Sequence, residues 1–414
     1  ALFLEPGAAS ATDLPAHTQR SQSVRVNRRA LQAPALSLNL FGEDLRAVRD
    51  SIQRHKAGQL VWVGHLEGNP ANTVIVTVRG NQVSGVIYRD AEVYRLGVGR
   101  DRSTRVFQLD MASLPPDDAE MPLDGGGENL DEGPMTPSDG IGQDLLVVYT
   151  QGACNYSGSC ANLEADIVTA VAELNAAYSA SGVNITMNLV GMALTNYTGT
   201  DASATLTALR STTDGNMDEV HGLRDDLGAD IVSLIYDGAG CGIGYLPASA
   251  TSAFNVTDAP CLVGNRTMAH EIGHNQGAHH DRVTAGAGTS SAYNYGYRRC
   301  NDGSVDDFGS PYFRTIMSYS CSSASRVGRF SNPYVNYSGV PSGVDPGVVQ
   351  GKGAWNVQTL NNSAAYVAGF RPTATSTPPA VPTGLNAGQA GPDAIDLTWI
   401  DNATDETSFA VERS

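Results

Sequence analysis

The sequence predicts an α/β (α+β) domain on a mixed, mostly parallel sheet over residues 144–371, with a small β-rich domain before it and the first strands of a truncated β-sandwich after it. Between residues 144 and 236 apolar strands alternate with helical patterns, in the order strand, long helix, strand, helix, strand, which is how a parallel sheet is wound. Residues 22–109 instead alternate polar and apolar side chains between turn signals, the pattern of half-buried antiparallel strands. Charge changes at the same boundaries: residues 1–109 hold 14 basic and 9 acidic side chains, whereas residues 110–143 hold 9 acidic and no basic ones. The central block, 144–371, has 11 basic and 19 acidic residues, so the basic first block and the acidic central one attract.

Within the first domain, residues 1–110, strands are expected at Ser23–Arg28, Leu36–Phe41, Leu60–Leu66, Thr73–Val78, Gln82–Tyr88 and Glu92–Leu96. Gly68-Asn69-Pro70 and Gly80-Asn81 mark hairpin turns between them, and Glu43–Gln53 is the one segment with a helical pattern. Residues 111–143, with Gly125-Gly126-Gly127 and Gly133-Pro134, have almost no β-branched side chains and cannot bury a core. They read as an exposed linker carrying a maturation cleavage site. The central block opens with the strand Asp144–Thr150, followed by a helix over Asn162–Ala180 with Ile167, Val171, Leu174 and Tyr178 at helical spacing. A strand at Val183–Val190, a helix at Met217–Leu227 and a strand at Ala229–Tyr236 complete the pattern, and the Thr/Ser/Pro-rich residues 372–382 form a second linker.

A formal charge of −17 excludes a protein built to bind nucleic acid, which needs a basic face. No run of 18 apolar residues occurs, so no membrane-spanning helix is expected. All six cysteines, Cys154, Cys160, Cys241, Cys261, Cys300 and Cys321, lie in the central block, none in C-x-x-C spacing. An even count in one domain reads as three disulfides in an oxidising compartment, and a start at Ala1 without a leader fits an export signal already removed. A secreted monomer is therefore expected. Pairing in sequence order closes the smallest loops and gives Cys154 with Cys160, Cys241 with Cys261 and Cys300 with Cys321.

The chemistry is concentrated in Thr267-Met268-Ala269-His270-Glu271-Ile272-Gly273-His274-Asn275-Gln276-Gly277-Ala278-His279-His280-Asp281. Residues four apart lie one turn above each other on a helix, so His270 and His274 present two imidazoles on one face. Glu271 sits about 100° round from His270, placed to reach a metal-bound water and not the metal. Gly277 permits the left-handed turn that ends the helix and returns His280 as a third ligand. Three imidazoles leave the fourth position of a tetrahedral zinc open, as in catalytic sites. With this composition the spacing H-E-x-x-H-x-x-G-x-x-H arises by chance about 10⁻⁵ times per chain.

The motif from His270 to Asp281, with Asn275 and an Asp after the third His, resembles that of metzincin zinc metallopeptidases of the reprolysin-like group. Thr315-Ile316-Met317-Ser318-Tyr319, forty residues on, is similar to the Met-turn of that clan. Over residues 144–371 the chain most resembles the bacterial peptidyl-Asp metallopeptidase family, preceded by a pro-domain. The resemblance implies one zinc ion on His270, His274 and His280, with Glu271 as the base that takes a proton from a zinc-bound water and passes it to the leaving amine. It makes Met317 a structural residue under the histidines, and Tyr319 a candidate partner of the zinc or of the tetrahedral intermediate.

It also implies a peptide or protein substrate lying extended along an edge strand at Gly242-Ile243-Gly244, where glycines let another backbone approach. The pocket C-terminal to the scissile bond is walled in this clan by the segment after the Met-turn, here Ser320–Asn332, which contains Arg326 and Arg329 and no acid. A guanidinium there suits a substrate Asp, with Arg326 the better placed because Arg329 precedes Phe330. The first domain is expected to inhibit the zymogen intramolecularly. No cysteine precedes Cys154, so a cysteine-zinc latch is excluded, and Asp44 is either an aspartate switch or a helix N-terminal acid.

Asn301-Asp302-Gly303-Ser304-Val305-Asp306-Asp307 has the flavour of a calcium loop without the EF-hand pattern, so calcium is a weak second metal. Residues 383–414, with the stretch before them from Pro379, resemble the opening of a fibronectin type III domain, with Pro379–Leu385, Ile395–Trp399 and Phe409–Arg413 as strands and Trp399 as core tryptophan. Three such strands cannot close a sandwich. The alternative to an enzyme is a catalytically silent adhesion protein that keeps the fold.

Overall fold

In the computed structural model, residues 1–4, 6–11, 14–54, 59–99, 101–116, 121–122, 140–247, 249–285, 292–301, 309–322, 324–373, 383–391, 394–400 and 402 are described. Alternating side chains in the first domain form one antiparallel sheet from β1 (Ala9–Ser10), β2 (Thr18–Ser23), β3 (Ala35–Leu40), β4 (Glu43–Arg54), β5 (Leu60–Leu66), β6 (Asn69–Arg79), β7 (Gln82–Arg89), β8 (Glu92–Val98) and β9 (Thr104–Leu109). Their order is β1-β2-β9-β8-β7-β6-β5-β4-β3.

The expected hairpins at Gly68 and Gly80 are present. Glu43–Gln53 is not a helix. A turn with positive φ at Phe41 and Gly42 folds β4 back on β3, and β4 then pairs on its other side with β5, so two rows of ladder hydrogen bonds override its helical spacing. Asp44 accordingly lies in a strand, not at a helix N-terminus, and accepts a hydrogen bond from Asn39. Of the expected strand at Ser23–Arg28, β2 ends at Ser23 and Arg25–Val26 forms a short strand paired with Phe3–Leu4, before the chain enters a 3₁₀ turn at Arg28.

The central sheet is built from β10 (Met121–Pro122), β11 (Ile141–Thr150), β12 (Ile185–Thr195), β13 (Ile231–Tyr236), β14 (Gly242–Leu246) and β15 (Phe254–Asp258), in the order β10-β14-β15-β13-β11-β12. Strands β12, β11, β13 and β15 run parallel, and β14 is antiparallel to β15. Helices α1 (Gln151–Tyr156), α2 (Cys160–Ser181), α3 (Ala202–Arg210) and α4 (Glu219–Leu227) intervene; α2 and α4 are the two expected, and α1 and α3 are additional. Successive residues of β11 serve the two faces: Leu145 and Val147 pack toward α2, Leu146 and Val148 toward α3 and α4. All three disulfides pair as expected.

Helix α2 is buried nearly all round because it is sandwiched between the two sheets. Val61, Ile75, Val86 and Val93 of the first domain share a core with its Ile167, Ala170 and Leu174. On the same side it carries a polar stripe at helical spacing. Asp166 accepts from Ser84 and Arg95, Thr169 donates to Thr77, and Glu173 accepts from Tyr88. Residues 1–372 thus form one compact unit.

Residues 373–414 form a second unit, in which residues 383–391 and 394–400 pair as an antiparallel hairpin. The expected strand Phe409–Arg413 and residues 302–307 of the calcium-like loop lie outside the described residues, as does most of the acidic linker.

Candidate metal centre and active site

Helix α5 (Thr267–Asn275) carries the motif, and its one-turn spacing brings His270 above His274. It stops where sequence reasoning placed the stop. Gly277 takes φ +95°, Ala278 N–H donates to the Gly273 carbonyl, and the chain reverses into the short strand His279–Asp281. The reversal returns His280, so that the three Nε2 atoms stand at the corners of a triangle 3.0, 3.0 and 3.1 Å on a side.

The tautomers follow from the outer nitrogens. His270 Nδ1 lies 2.8 Å from the Ile316 carbonyl and His274 Nδ1 lies 2.8 Å from the Ala278 carbonyl. A carbonyl only accepts, so each Nδ1 carries the proton and each Nε2 turns a lone pair inward. Three buried imidazoles, two of them fixed in this way, make a donor set that fits a divalent cation and leaves room for a fourth ligand.

Glu271 is fully buried against the edge strand β14. A Cβ on Gly242 would stand 3.0 Å from its Cγ, and a Cβ on Gly244 would stand 3.4 Å from Oε2. These two glycines therefore make room for the carboxylate from inside the fold, a different reason from the substrate approach expected of them. Ile243 between them faces the opposite core with Tyr245 and Val256.

Beneath the triad, Met317 is fully buried in the turn Thr315–Ser318. The Tyr319 ring lies 4.3 Å from that of His280, and its backbone N–H donates to Asp281 Oδ2 at 3.1 Å. Asp281 also accepts from Thr284 N–H and hydroxyl and faces Arg298 at 3.3 Å, so the residue after the third histidine holds the Met-turn in place. His279 points elsewhere, against Tyr295.

Two arrangements had no signature in the sequence. Asn275 donates to the carbonyls of Tyr245 and Phe254, pinning the end of α5 to β14 and β15. Gln276 bridges Tyr178 of α2 and Gln143 of β11. Each is a single polar side chain whose partners lie far away in sequence.

The two arginines of the segment after the Met-turn differ. Arg326 is buried, and its Nη1 donates to the Asn265 carbonyl at 2.9 Å. Arg329 is partly buried, and its Nη1 makes only a 3.4 Å contact to the neighbouring Gly328 carbonyl. Burial and the nearby Arg266 guanidinium hold the Arg329 pKa below that of an ordinary arginine.

The profile of metallo-peptidase family M12B, reprolysin-like, matches residues 142–343. A protein of Stenotrophomonas maltophilia strain R551-3 called peptidyl-Asp metalloendopeptidase is 33% identical over 383 residues, 86% of this chain and 87% of its own. One of the same name from Xanthomonas campestris pv. campestris is 31% identical over 86% of each chain. Among solved structures, metalloproteinase-II from Bacteroides fragilis aligns at a TM-score of 0.37 and 11% identity, over 60% of this chain and 81% of that one. The chain belongs to the reprolysin-like zinc metalloendopeptidases, within the group of bacterial peptidyl-Asp metalloendopeptidases.

Proposed function

We propose that the protein is a secreted endopeptidase made as a latent zymogen, in which His270, His274 and His280 hold one zinc ion and Glu271 is the general base. The observation that carries this is the triangle of three inward-facing Nε2 atoms beside a buried glutamate. Zinc bound there would polarise the scissile carbonyl and acidify a water. Glu271 takes the proton of that water and delivers it to the leaving amine, from the space that Gly242 and Gly244 leave for its side chain. The outer edge of β14 offers main-chain groups to an extended peptide, aligning it by hydrogen bonds indifferent to side chains. Tyr319, held by Asp281, stands beside the triad to steady the tetrahedral intermediate.

Latency is supported by what lies on that edge. In the intact chain β10 runs parallel to β14, with Met121 opposite Tyr245 and Pro122 opposite Leu246, and Cys241 N–H donates to the Pro116 carbonyl at 3.3 Å. The linker thus covers the edge that a substrate needs, and cleavage within residues 111–143 releases it. The polar stripe on α2 supports the same reading, since Asp166, Thr169 and Glu173 can face water once the first domain leaves. Three disulfides support secretion. A preference for Asp on the C-terminal side of the cut is supported by the relatives' name and by arginines in the wall segment.

The decisive experiment is Glu271→Gln in the full chain, nicked in the linker by limited proteolysis. It should retain one zinc per chain and cleave no casein, while the nicked wild type cleaves it and the intact wild type is slow. Cleavage by the Gln variant at the wild-type rate would remove Glu271 from the chemistry.

A further inference from the structure

The segment after the Met-turn is laced to the start of α5 by two arginines in reciprocal fashion. Arg266 Nη1 donates to the Arg326 carbonyl at 3.1 Å, and Arg326 Nη1 donates to the Asn265 carbonyl at 2.9 Å. Arg326 is therefore engaged with the main chain of the loop it belongs to. Arg329 is not: its Nε has no hydrogen-bond partner among the described residues, and no carboxylate there lies within ion-pair distance.

Arg329 is also closely tied to the triad. Its carbonyl accepts the Ile316 N–H at 2.8 Å, and the Ile316 carbonyl accepts the His270 Nδ1–H at 2.8 Å. Two hydrogen bonds thus separate the Arg329 main chain from the ring of a candidate zinc ligand. The Arg266 guanidinium comes from one turn before His270 and lies against the same segment, 3.1 Å from where a Cβ on Gly328 would stand.

The Arg266 guanidinium lies against Gly328, the chain neighbour of Arg329, and Arg329 has no anionic partner among the described residues, so this segment carries guanidinium charge that lacks an anion. Glu173 of α2 faces Arg266. In the intact chain the site is stoppered by the first domain, because the Tyr88 ring stacks on Arg266 with its centroid 3.5 Å from Cζ and its hydroxyl binds Glu173. A small pocket lined by Tyr88, Glu173, Arg266 and Gly328 lies beside Arg266, and Arg329 is not among its lining residues.

We propose that Arg329, backed by Arg266, receives the carboxylate of the substrate's acidic side chain on the C-terminal side of the scissile bond, and that Arg326 holds the pocket wall. This rests on the Asp preference proposed above. A planar fork in a largely dry pocket binds a carboxylate in two parallel bonds and rejects the uncharged isostere, whose binding leaves the guanidinium unpaired.

The test compares kcat/KM for two peptides differing only by Asp or Asn at that position, using zinc-loaded full chain nicked in the linker. The wild type should favour Asp by roughly 10³-fold or more. Arg329→Gln should bring that ratio within about tenfold of unity, chiefly by lowering kcat/KM for the Asp peptide. Arg329→Lys keeps the charge but loses the fork, and should lower the ratio at least tenfold. Arg326→Gln should keep the ratio and lower the Tm. An unchanged ratio in Arg329→Lys, or in a folded Arg329→Gln, overturns the assignment to Arg329. A wild type that does not distinguish the two peptides overturns the Asp preference itself.

Discussion

The sulfur of Met317 lies 2.5 Å from the point where a Cβ on Gly273 would stand, and Phe330 Cε1 lies 3.3 Å from the same point. The glycine between Glu271 and His274 is thus the hole into which the Met-turn fits, and Phe330 in turn stacks on Tyr178 of α2. Helix, Met-turn and α2 are packed through one missing methyl group. Gly273→Ala must push Met317, fully buried beneath the histidines, out of place. It should cost about 1–3 kcal/mol in stability despite the better helix propensity of Ala, and weaken metal binding. Chemical denaturation and a zinc titration check this, and unchanged values for both would mean that the sulfur moves aside freely.

Most of the site was legible in the sequence because it is local. His270, Glu271 and His274 share one helix, Gly277 and His280 follow directly, and helical spacing with one glycine turn fixes their geometry. The same holds for β11, β12 and β13, whose short apolar runs alternate with helical patterns, whereas β15 is not among the strands expected from the sequence. Glu43–Arg54 was not legible, since its spacing suits a helix and only pairing with β3 and β5 makes it a strand. The stripe Asp166, Thr169 and Glu173 was hidden likewise: on a helix such residues suggest a wet face, whereas here they meet partners more than 70 positions away. The choice between Arg326 and Arg329 depends on which guanidinium finds a carbonyl, and local sequence holds no trace of that.

Removal of one ligand should abolish the metal site. His274 is fixed by the Ala278 carbonyl, so His274→Ala leaves two imidazoles and an opening in place of a third donor. Elemental analysis after dialysis against a weak chelator should find zinc in the wild type and almost none in the variant, with casein cleavage lost in parallel. Stoichiometric zinc in His274→Ala means that the ligand set is different.

Docking of the first domain should weaken as pH rises. Burial pushes the Glu173 carboxyl up to about 7, partly offset by Arg266, Tyr88 and the Gly264 N–H. A carboxyl whose pKa is raised in the docked state favours docking fully below its free value near 4.5, and that contribution is lost as pH climbs through about 7. The sign is opposite to that of an ion-paired carboxylate. The magnitude is of order 3 kcal/mol at most. The nicked chain should therefore keep its fragments together at pH 5.5 and separate more readily at pH 8.5, as read by gel filtration. Glu173→Gln, neutral throughout, should flatten that dependence; a variant with the wild-type pH profile assigns the effect to other groups.

The last prediction concerns Asp281, which joins the third histidine to the Met-turn. Its two oxygens serve four groups: the Thr284 N–H and hydroxyl, the Tyr319 N–H, and the Arg298 side chain at 3.3 Å. Both members of the ion pair are buried, with side-chain exposures of 7% for Arg298 and 0% for Asp281. Asp281→Asn keeps the volume and one acceptor oxygen but leaves the Arg298 guanidinium without its charge partner, and the new amide must face a donor. Removing one partner from a buried pair costs about 3–5 kcal/mol, far more than the pair itself contributes over an apolar replacement. Tyr319 loses its anchor at the same time, so its ring need not stay against His280. Asp281→Asn should therefore lower the Tm and reduce zinc affinity together, although the residue binds no metal. Thr284→Val is the control: it removes only the hydroxyl donor, should cost about 1 kcal/mol, and should leave zinc binding unchanged. Should Asp281→Asn melt and bind zinc like the wild type, the Met-turn is held without Asp281, by the hydrogen bonds of Thr315 and Ser318 to Tyr297 and of Ile316 to Arg329, and Asp281 has no part in positioning Tyr319.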